Sequence, residues 1–306
     1  MPFNLQILGS SSAVPTRDRN QTALLLDLGS ESILFDAGEG VQKQLLVYGI
    51  KPYKIRYIVI SHLHPDHYIG LIGLLCSWGL NRRNQKLTII SPSGLKDIID
   101  LQLNTSGIEL RYEIEYLVPL RGDNKDLINT KHFSLHSFEM RHRVLCHGFL
   151  LKEAEHERRI IPERLEGKEI PYEAFPFLKN GKDFKTESGE LLKSSELTTE
   201  PFPSNSFAYF TDTSINMELS TYLNEVDLLY HDATFLNEIE EKAKETGHST
   251  AVQAARFAKA ARVKKLILGH FSSRYGNLEP LEKEARQIFA ESHLATEGRI
   301  FEVKNK

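Results

Sequence analysis

The sequence predicts an α/β domain organised around packed β-sheets with helices on the outside. Two observations favour this fold: apolar, β-branched segments alternate with helical segments, and several of these segments end in a histidine or an aspartate. The 306 residues suffice for one large domain or two smaller ones, and contents of 41% hydrophobic and 26% charged residues are those of an ordinary soluble globular protein. The net charge of -3 does not indicate a nucleic-acid binder, so a polyanionic partner would have to be met by local basic patches or by bound metal.

Strands are expected where short β-branched and aromatic runs lie between turn residues. Gly29-Ser30-Glu31 separates two such runs and predicts a hairpin, and the run at 132–139 alternates apolar and polar residues, as a strand with one solvated face does. The predicted strands are Phe3–Leu8, Thr22–Leu28, Ser32–Phe35, Ile55–Ile60, Lys86–Ile90, Tyr112–Leu117, His132–Glu139, Ser206–Phe210, Val226–Tyr230, Lys264–Leu268 and Arg299–Val303.

Helices are expected between these strands, where apolar residues recur at helical spacing or alanine is abundant. Ser249 is expected to cap the alanine-rich helix, which would leave His248 beside the helix N-terminus. The predicted helices are Val41–Tyr48, Tyr68–Leu75, Pro92–Leu103, Ala251–Ala261 and Glu279–Ser292.

One long segment, residues 154–203, interrupts this pattern. It is rich in Lys, Glu, Pro and Gly and contains short apolar islands such as Phe175–Leu178. A segment of this length inside a compact domain is an insertion with a function, a disordered loop or a tolerated surface excursion. We therefore predict a single domain over residues 1–306 with an inserted flexible arm at about 154–203.

Cysteine usage and the N-terminus predict the compartment. Two cysteines, Cys76 and Cys146, in a chain of this length argue against a disulfide framework and indicate a reducing environment. The chain enters a strand pattern at once, without a charged signal-peptide region, and no apolar run is long enough to cross a bilayer. We expect a cytoplasmic protein with no membrane partner.

The stretch Ser61–His67 carries the strongest chemical signal, because it places three histidines and an aspartate on one turn between a buried strand and a helix. His62 and His64 are alternate residues of an extended segment, so they point the same way and can reach one metal ion. Asp66 and His67 lie where the chain enters the helix and would face a second point nearby. These ligand types suit zinc, with manganese or iron as alternatives, whereas a merely solvated loop would not need so many ligand-type residues.

Further ligands are expected just past later strands. Asp212 can bridge two metals because a carboxylate has two oxygens. His270 is expected to complete the second metal, and His142 is favoured as the third ligand of the first metal because it lies just past a strand end. The alternatives to His142 are His132, His136 and His147.

Other polar residues have two interpretations each. Asp36 ends a strand and either caps the following helix or hydrogen-bonds a ligand histidine. Arg17 and Arg19 lie in a proline-led loop and are either solvated or in contact with phosphate. His231 ends another strand, as the metal-type residues do.

The motif His62-Leu63-His64-Pro65-Asp66-His67 resembles the His-x-His-x-Asp-His signature of the metallo-β-lactamase superfamily. This resemblance implies an α/β four-layer αββα sandwich of two mixed β-sheets flanked by helices, with a binuclear metal site. Three further features are similar to the ribonuclease Z family of tRNA 3′-processing endonucleases. They are Leu8–Ser10 together with Pro15–Asn20, then His231–Thr234, and then His248–Thr250. The resemblance covers nearly the whole chain and breaks down only across the arm.

The resemblance also implies roles for the candidate residues. The first metal would be held by His62, His64 and His142, and the second by Asp66, His67 and His270, with Asp212 bridging the two. Asp66 would also position or deprotonate the attacking water. The proton for the leaving group would come from His231, Asp232 and His248, and the substrate would contact Arg17, Arg19 and Asn20.

The implied reaction removes the 3′ trailer from precursor tRNA and leaves a 3′-hydroxyl on the tRNA and a 5′-phosphate on the trailer. The implied cofactors are two Zn²⁺ per subunit, with Mn²⁺ or Mg²⁺ able to replace them, and the implied assembly is a homodimer. Another binuclear phosphodiesterase or esterase of the superfamily would share the metal ligands, but the Pro15–Asn20 loop and His248–Thr250 argue against most of these. A non-catalytic RNA-binding relative would be expected to have lost ligands.

The chain departs from the family pattern in four places. Pro65 stands where glycine is usual, and Arg17 stands where lysine is usual. Asp232 replaces glutamate and is one methylene shorter, which changes its reach to a histidine. The arm segment Ile170–Pro176 lacks the glycine-proline pair of the family's tRNA-binding arm.

Overall fold

Two β-sheets packed face to face form the centre of the molecule. The computed structural model describes residues 3–120, 122 and 125–303, so the ends of the predicted domain at 1 and 306 lie outside the described residues. Within this part of the chain each main sheet has seven strands, and helices pack on the outer surface of both. The predicted four-layer αββα sandwich is confirmed.

Most neighbouring strands in the two sheets are also consecutive in the chain, the exceptions among the described residues being β18 beside β1 and β14 beside β9. In chain order the strands are β1 (Asn4–Gly9), β2 (Ala23–Asp27), β3 (Ser32–Phe35), β4 (Ile55–Val59), β5 (Leu87–Ile90), β6 (Ile114–Leu117), β7 (Lys125–Asn129), β8 (Phe133–Glu139), β9 (His147–Glu153), β10 (Arg159–Ile160), β11 (Phe184–Lys185), β12 (Leu191–Leu192), β13 (Thr198–Thr199), β14 (Ser206–Phe210), β15 (Leu228–Asp232), β16 (Lys265–Gly269), β17 (Ser292–Leu294) and β18 (Ile300–Glu302). The first sheet has the order β18-β1-β2-β3-β4-β5-β6, and the second has the order β17-β16-β15-β14-β9-β8-β7.

Both sheets are mixed, and their parallel halves determine where strand ends meet. In the first sheet β3, β4, β5 and β6 are parallel neighbours, and in the second sheet β14, β15, β16 and β17 are. The carboxyl ends of parallel neighbours lie at the same edge of a sheet. Residues that follow β4, β14 and β16 are therefore brought to common edges even though they are far apart in the sequence.

Helices cover both outer faces. In chain order they are α1 (Val41–Val47), α2 (Pro65–Tyr68), α3 (Leu71–Leu80), α4 (Leu95–Ser106), α5 (Ala174–Lys179), α6 (Ser194–Leu197), α7 (Glu240–Thr246), α8 (Ala251–Ala260) and α9 (Glu279–Arg286). Helices α1, α3 and α4 bury their apolar residues against the first sheet, whereas α8 and α9 pack with the second. Within residues 3–120, 122 and 125–303, no helix combines the length and the apolar character that a membrane span requires.

Aromatic side chains fill the space between the sheets. The ring centroid of Phe35 lies 5.3 Å from that of Phe207 and 5.3 Å from that of Tyr209, and Tyr57 meets Phe133 at 5.3 Å. These pairs join strands of opposite sheets at the spacing that aromatic rings prefer. The packing holds the two sheets in a fixed relation, so residues at their rims are held in a fixed relation as well.

The helix predicted at Tyr68–Leu75 is instead two helices, α2 and α3, separated at Gly70. A Cβ atom at Gly70 would lie only 2.2 Å from the Gly38 carbonyl oxygen, so this contact requires glycine. The loop after β3 therefore packs directly against the turn that carries Asp66 and His67. Pro65 occupies the first turn of α2, where proline fits because its missing N–H would have no helical partner.

Two other local predictions differ from the structure, and some elements were not predicted, β7 among them. Thr250, and not Ser249, caps α8, because its hydroxyl accepts from the Gln253 N–H while the Gln253 side chain accepts from the Thr250 N–H. The helix predicted to reach Ser292 ends at Arg286, and the chain continues into strand β17. The short strand β7 was not predicted, because its charged residues give a weak strand pattern.

The insertion at 154–203 has secondary structure and a small core of its own. It contains α5, α6 and two short ladders, in which β10 pairs with β13 and β11 pairs with β12. The core consists of Ala174, Leu178, Leu192 and Leu197. The segment is therefore ordered locally, while its predicted flexibility as an arm stays a prediction.

Candidate metal centre

Seven histidines and aspartates from both sheets converge at one rim of the sandwich. His62, His64, Asp66 and His67 follow β4 in the first sheet. The second sheet contributes the others from the turns after β8, β14 and β16, and these are His142, Asp212 and His270. The sequence predicted all seven as metal ligands, and the structure brings all seven together.

The first group contains four ligand atoms. The group is His62, His64, His142 and Asp212, whose ligand atoms all lie within 4.8 Å of one another. His62 Nε2 lies 2.8 Å from His64 Nδ1, and His142 Nε2 lies 3.4 Å from the same atom. Asp212 Oδ2 faces this group, at 3.6 Å from His62 Nε2 and 3.9 Å from His142 Nε2.

The second group lies on the other side of the Asp212 carboxylate. His67 Nε2 is 3.2 Å from Asp66 Oδ2 and 3.2 Å from Asp212 Oδ1. His270 Nε2 is 3.1 Å from Asp212 Oδ1 and 3.7 Å from Asp66 Oδ2. The two oxygens of Asp212 thus face different groups, as a bridging carboxylate requires.

The donor atoms fit divalent metal ions. Bond lengths of 2.0–2.2 Å in a tetrahedral site place neighbouring ligand atoms roughly 3.3–3.6 Å apart, which lies within the range of separations in the two groups, 2.8 to 3.9 Å. His67 Nε2 and His270 Nε2 are buried, and neither has a hydrogen-bond partner among the described residues. Buried ring nitrogens that converge on a common point without hydrogen bonds are suited to ligate a cation.

The charges within the cluster depend on one another. Burial would lower the pKa of His67, but the carboxylates of Asp212, Asp36 and Asp66 raise it well above its usual value. Burial would raise the pKa of Asp212, but His270, His67 and His62 hold it well below its usual range. A cation bound here would compete with protons for the same ring nitrogens.

Asp36 orients one candidate ligand of the first sheet, His67. This fully buried carboxylate accepts hydrogen bonds from His67 Nδ1 at 2.6 Å and from the Ser61 N–H at 2.7 Å and hydroxyl at 2.8 Å. A hydrogen bond to one ring nitrogen fixes which nitrogen is left for the metal. The alternative prediction, that Asp36 caps α1, is wrong, because Gly40 occupies the cap position and no side chain caps the helix.

Three residues at the rim have left-handed backbone conformations. The φ angles are 53° at Asp36, 45° at Asp212 and 60° at His270. Non-glycine residues in this region cost of order 1–3 kcal/mol each and persist only where the surrounding structure holds them. Each of these residues lies one or two positions after a strand end, so the strain accompanies the sharp turns that aim the side chains at the cluster.

Asp232 and His248 form a directly bonded pair beside the metal groups. His248 Nδ1 lies 2.8 Å from Asp232 Oδ2, and the His248 ring stacks on His270 with centroids 5.1 Å apart. Burial would lower the pKa of His248, but the charge and hydrogen bond of Asp232 raise it to about 9. Asp232 still reaches His248 although its side chain is shorter than glutamate.

Asp232 is itself fixed by three further hydrogen bonds. Thr234 donates to Oδ1 from its N–H at 2.9 Å and its hydroxyl at 2.7 Å, and the Thr213 N–H donates to Oδ2 at 3.1 Å. The Thr234 hydroxyl also lies 3.0 Å from His270 Nδ1. One buried carboxylate therefore positions both His248 and a candidate metal ligand. The sequence did not single out either threonine.

His231 does not belong to this pair, although the resemblance grouped it with Asp232 and His248 as a source of the leaving-group proton. Successive strand residues point to opposite faces of a sheet, so Asp232 faces the rim and His231 faces the other way. The His231 ring packs on Phe257 with centroids 5.3 Å apart, and its Nδ1 bonds to the Asp232 carbonyl oxygen at 2.8 Å. Burial lowers the pKa of His231, whose ring lies in the core and not at the cleft.

The three predicted substrate residues have different environments. Arg17 is exposed. Arg19 donates to the Tyr275 carbonyl oxygen at 2.9 Å, and Asn20 donates to Glu297 from its side chain at 2.7 Å and from its backbone N–H. Arg19 and Asn20 therefore anchor the loop within the protein, and Arg17 is the member of the set that faces solvent.

The metal groups open into a cleft of about 250 Å³. Ser12 and Ala13 from the loop after β1 line one side, while Phe235 and His248 line another. Arg143 stands at the cleft and donates to the Glu245 carbonyl oxygen at 2.8 Å. The cleft thus combines acidic metal-type ligands at its base with a cationic side chain in its wall, which suits a phosphate ester.

Of the alternatives to His142, two are placed elsewhere in the second sheet. His136 lies on β8 with its Nδ1 3.0 Å from Asp126 Oδ1, and His147 is buried at the start of β9. His132 precedes β8. His142 lies at the cluster, and its Nδ1 donates to the Gly247 carbonyl oxygen at 3.0 Å, which directs Nε2 to the metal group.

Comparisons with known proteins agree with this geometry. A family model described as Anti-Pycsar protein Apyc1 matches residues 3–148, which is less than half of the chain. The chain is 36% identical to Ribonuclease Z of Parabacteroides distasonis over 97% of either sequence, and 39% identical to Ribonuclease Z of Cytophaga hutchinsonii over 100% of this chain and 98% of the relative. The crystal structure of human tRNase Z, short form, is 27% identical and superposes with a TM-score of 0.71 over 99% of both chains. This sequence, with its two metal-type groups and the Asp232–His248 pair, belongs to the ribonuclease Z family.

Proposed function

We propose that the protein is a metal-dependent endoribonuclease that cleaves the 3′ trailer from precursor tRNA. The observation that supports this most directly is the placement of Asp212 between two groups of metal-type residues, with the hydrogen-bonded pair Asp232–His248 beside them at one cleft. The hydrolytic products would be a 3′-hydroxyl on the tRNA and a 5′-phosphate on the trailer. The names of the relatives support tRNA as the substrate.

Two Zn²⁺ ions per subunit, which Mn²⁺ or Mg²⁺ could replace, are the proposed cofactors. His62, His64 and His142 would hold the first ion, and Asp66, His67 and His270 the second, with Asp212 between them. Ions held in this way lower the pKa of water and stabilise the charge on a phosphoryl group during an in-line displacement. Histidine-rich groups with carboxylates suit zinc better than magnesium.

The residues of the chain would divide the remaining chemistry between them. Asp66 positions the attacking water and accepts its proton as the water oxygen bonds to phosphorus. The bond from phosphorus to the ribose 3′-oxygen breaks, and His248 supplies the proton that this oxygen needs. Asp232 keeps His248 protonated and correctly oriented through the 2.8 Å contact with Nδ1, which leaves Nε2 to face the substrate. Two cations nearby would lower the pKa of His248 from about 9 towards neutrality, where a general acid is most effective.

The loop that contains Arg17 is proposed to contact the RNA backbone. Arg19 and Asn20 hold this loop against the Tyr275 carbonyl oxygen and the Glu297 carboxylate, next to the residues that line the cleft. The exposed Arg17 does not anchor the loop and can contact a phosphate.

The arm at 154–203 is proposed as a further tRNA contact. Because it carries eight basic and eleven acidic residues, contact would depend on local basic groups and not on its net charge.

We also propose a cytoplasmic homodimer. Leu46 and Tyr53 are exposed and line a cleft of about 420 Å³ on the helical face of the first sheet, and Leu80 at the end of α3 is 85% exposed. Apolar side chains grouped on a surface in this way are typical of an interface, and a second copy would cover them. Cys76 and Cys146 are both free thiols, which suits a reducing compartment.

A direct test is to incubate purified, zinc-loaded protein with a 3′-extended precursor tRNA and with bis-p-nitrophenyl phosphate. We expect one endonucleolytic cut at the 3′ end of the tRNA, with the end groups given above, and loss of activity after chelation. Hydrolysis of the small ester without tRNA cleavage would favour another phosphodiesterase of this fold. Bound metal with no hydrolysis of either compound would favour a non-catalytic relative.

A further inference from the structure

A buried tyrosine hydroxyl connects the two sheets next to the candidate metal groups. Tyr209 lies on β14 in the second sheet, three residues before Asp212. Its hydroxyl donates to Asp36 Oδ2, in the first sheet, at 2.6 Å. Tyr209 and Asp36 are both fully buried, so water cannot take the place of this hydrogen bond.

The same Asp36 oxygen accepts from a candidate ligand. His67 Nδ1 lies 2.6 Å from Asp36 Oδ2, and the Ser61 hydroxyl lies 2.8 Å from it. The three donors therefore compete for the lone pairs of one oxygen, and each limits the directions open to the others. Ser61 and His67 belong to the metal-binding turn itself, whereas Tyr209 comes from the opposite sheet.

The tyrosine ring has little freedom to move. Its centroid lies 5.3 Å from that of Phe35 and 5.2 Å from that of Tyr230. Packing between these two rings fixes where the hydroxyl lies relative to the backbone of β14. The Tyr209 hydroxyl, held by the second sheet, therefore fixes the position of the Asp36 carboxylate in the first sheet.

We propose that Tyr209 is a positioning residue that, through Asp36, sets the orientation of His67 relative to Asp212. The two ligand atoms concerned, His67 Nε2 and Asp212 Oδ1, belong to different sheets and lie 3.2 Å apart. The Tyr209–Asp36 hydrogen bond connects the strand that precedes Asp212 to the far side of the His67 ring, through the carboxylate that accepts from His67 Nδ1. The inference rests on the proposed metal centre and adds a residue that does not touch the metal.

Tyr209→Phe tests this role because it removes only the hydroxyl and keeps the packed ring. The matched control is Tyr112→Phe, since Tyr112 is also buried and donates one hydrogen bond, to the Leu75 carbonyl oxygen at 2.9 Å, but lies on the helical side of the first sheet. Zn²⁺ affinity is measured by competition with a chelator, and thermal unfolding is measured with and without Zn²⁺. Neither readout requires catalytic activity.

We expect Tyr209→Phe to weaken binding of one of the two Zn²⁺ ions about 10-fold or more, as loss of an orienting partner typically does. A 10-fold rise in Kd lowers the metal-induced stabilisation by about 1.4 kcal/mol at saturating metal. Tyr112→Phe is expected to leave both zinc affinities within about threefold of the parent protein. This holds even where its metal-free stability falls as much as that of Tyr209→Phe. In the double variant Ser61→Ala/Tyr209→Phe, the effects on affinity are expected to be non-additive, because both donors act on one carboxylate.

Unchanged zinc affinities in a folded Tyr209→Phe protein would overturn the inference, as would an equal loss in the Tyr112→Phe control. If Tyr209→Phe does not fold, the zinc affinity of Ser61→Ala decides whether Asp36 orients the ligands. An unchanged zinc affinity in Ser61→Ala would also overturn the inference. A parent protein that binds fewer than two ions would instead overturn the proposed metal centre. The two failures are therefore distinguishable.

Discussion

Replacing His248 with alanine separates proton donation from metal binding. The change removes the imidazole that lies 2.8 Å from Asp232 Oδ2 and leaves His62, His64 and His142 and the second ligand group intact. Loss of a general acid typically lowers the rate by about 10²–10⁴, so kcat for precursor tRNA is expected to fall by that factor. Asp232 keeps its bonds from Thr234 and Thr213, so the stability cost is about 1–3 kcal/mol.

The assay compares two substrates that differ in their need for a proton. The ribose 3′-oxygen of tRNA leaves as an alkoxide unless it is protonated, whereas p-nitrophenolate is stable as an anion. His248→Ala is therefore expected to lower turnover of precursor tRNA by 10²–10⁴ but turnover of bis-p-nitrophenyl phosphate by less than about 10-fold. The control His136→Ala removes a histidine on β8 that contacts Asp126 and lies away from the cleft, and it is expected to change neither rate.

Metal content decides between this role and a structural one. The ligand atom of His248 also lies within 4.8 Å of those of Asp212 and His270, so a third grouping of metal-type residues exists in the same place. If His248 were a ligand, the alanine variant would lose zinc and both activities together. That result, or an equal loss on both substrates with zinc retained, would refute the assignment of His248 as the proton donor.

Three further variants test other parts of the site. Asp212→Ala is expected to leave the protein unable to hold two ions, because its two oxygens face both groups, and the zinc content measured by elemental analysis is expected to fall below two per subunit. Glu297→Gln weakens the anchor of the loop that carries Arg17, so KM for precursor tRNA is expected to rise severalfold while turnover of bis-p-nitrophenyl phosphate is unchanged. The double variant Lys182→Ala/Lys185→Ala in the arm is expected to weaken tRNA binding and to reduce the slope of log affinity against log salt by about 1–2. Its control is Lys193→Ala, because the Lys193 ammonium is already paired with a carboxylate, and this variant is expected to change neither the affinity nor the slope.

Each of these expectations has a contradicting result. Two tightly bound ions in Asp212→Ala would show that the carboxylate does not bridge. Equal losses on tRNA and on the small ester in Glu297→Gln would show a general structural defect and not a substrate contact. An unchanged salt slope after removal of Lys182 and Lys185 would show that this part of the arm does not contact phosphates.

The fold could be predicted well because apolar strand segments and helical segments can each be recognised from residues that are close together in the sequence. Short apolar runs such as Ser206–Phe210 were predicted with the boundaries that the structure has, since burial between layers requires continuous apolar strands. The break at Gly70 could not be predicted, because it depends on a contact with Gly38, which lies more than thirty residues earlier in the chain. Strand β7 was missed because its position next to β8, and not its composition, makes it a strand.

The convergence of the site could be predicted because its members follow strands. His62 and Asp212 lie 150 residues apart, yet each follows a strand whose carboxyl end lies at the rim, and the topology brings them within 3.6 Å. The prediction for His231 was wrong for a related reason. Proximity in sequence placed it beside Asp232, but alternation along β15 turns its ring into the core.

Residues that support the site from a distance gave no local signal. Tyr209 is one of several aromatic residues in an apolar strand, and its bond to Asp36 spans 173 positions of the chain. Likewise, Arg19 and Asn20 were expected to meet substrate because they are polar loop residues. Their actual partners, the Tyr275 carbonyl oxygen and Glu297, come from segments near the C-terminus, so only the folded structure shows that they anchor the loop.

The most direct measurement is anomalous diffraction from crystals of the zinc-loaded protein, recorded on both sides of the zinc absorption edge. Two peaks are expected, roughly 3.5–4 Å apart. One is expected beside Asp212 Oδ2 among His62, His64 and His142, and the other beside Asp212 Oδ1 between His67 and His270. A single peak, or a second peak bound through His248, would contradict a centre in which one carboxylate from the second sheet joins two ligand groups.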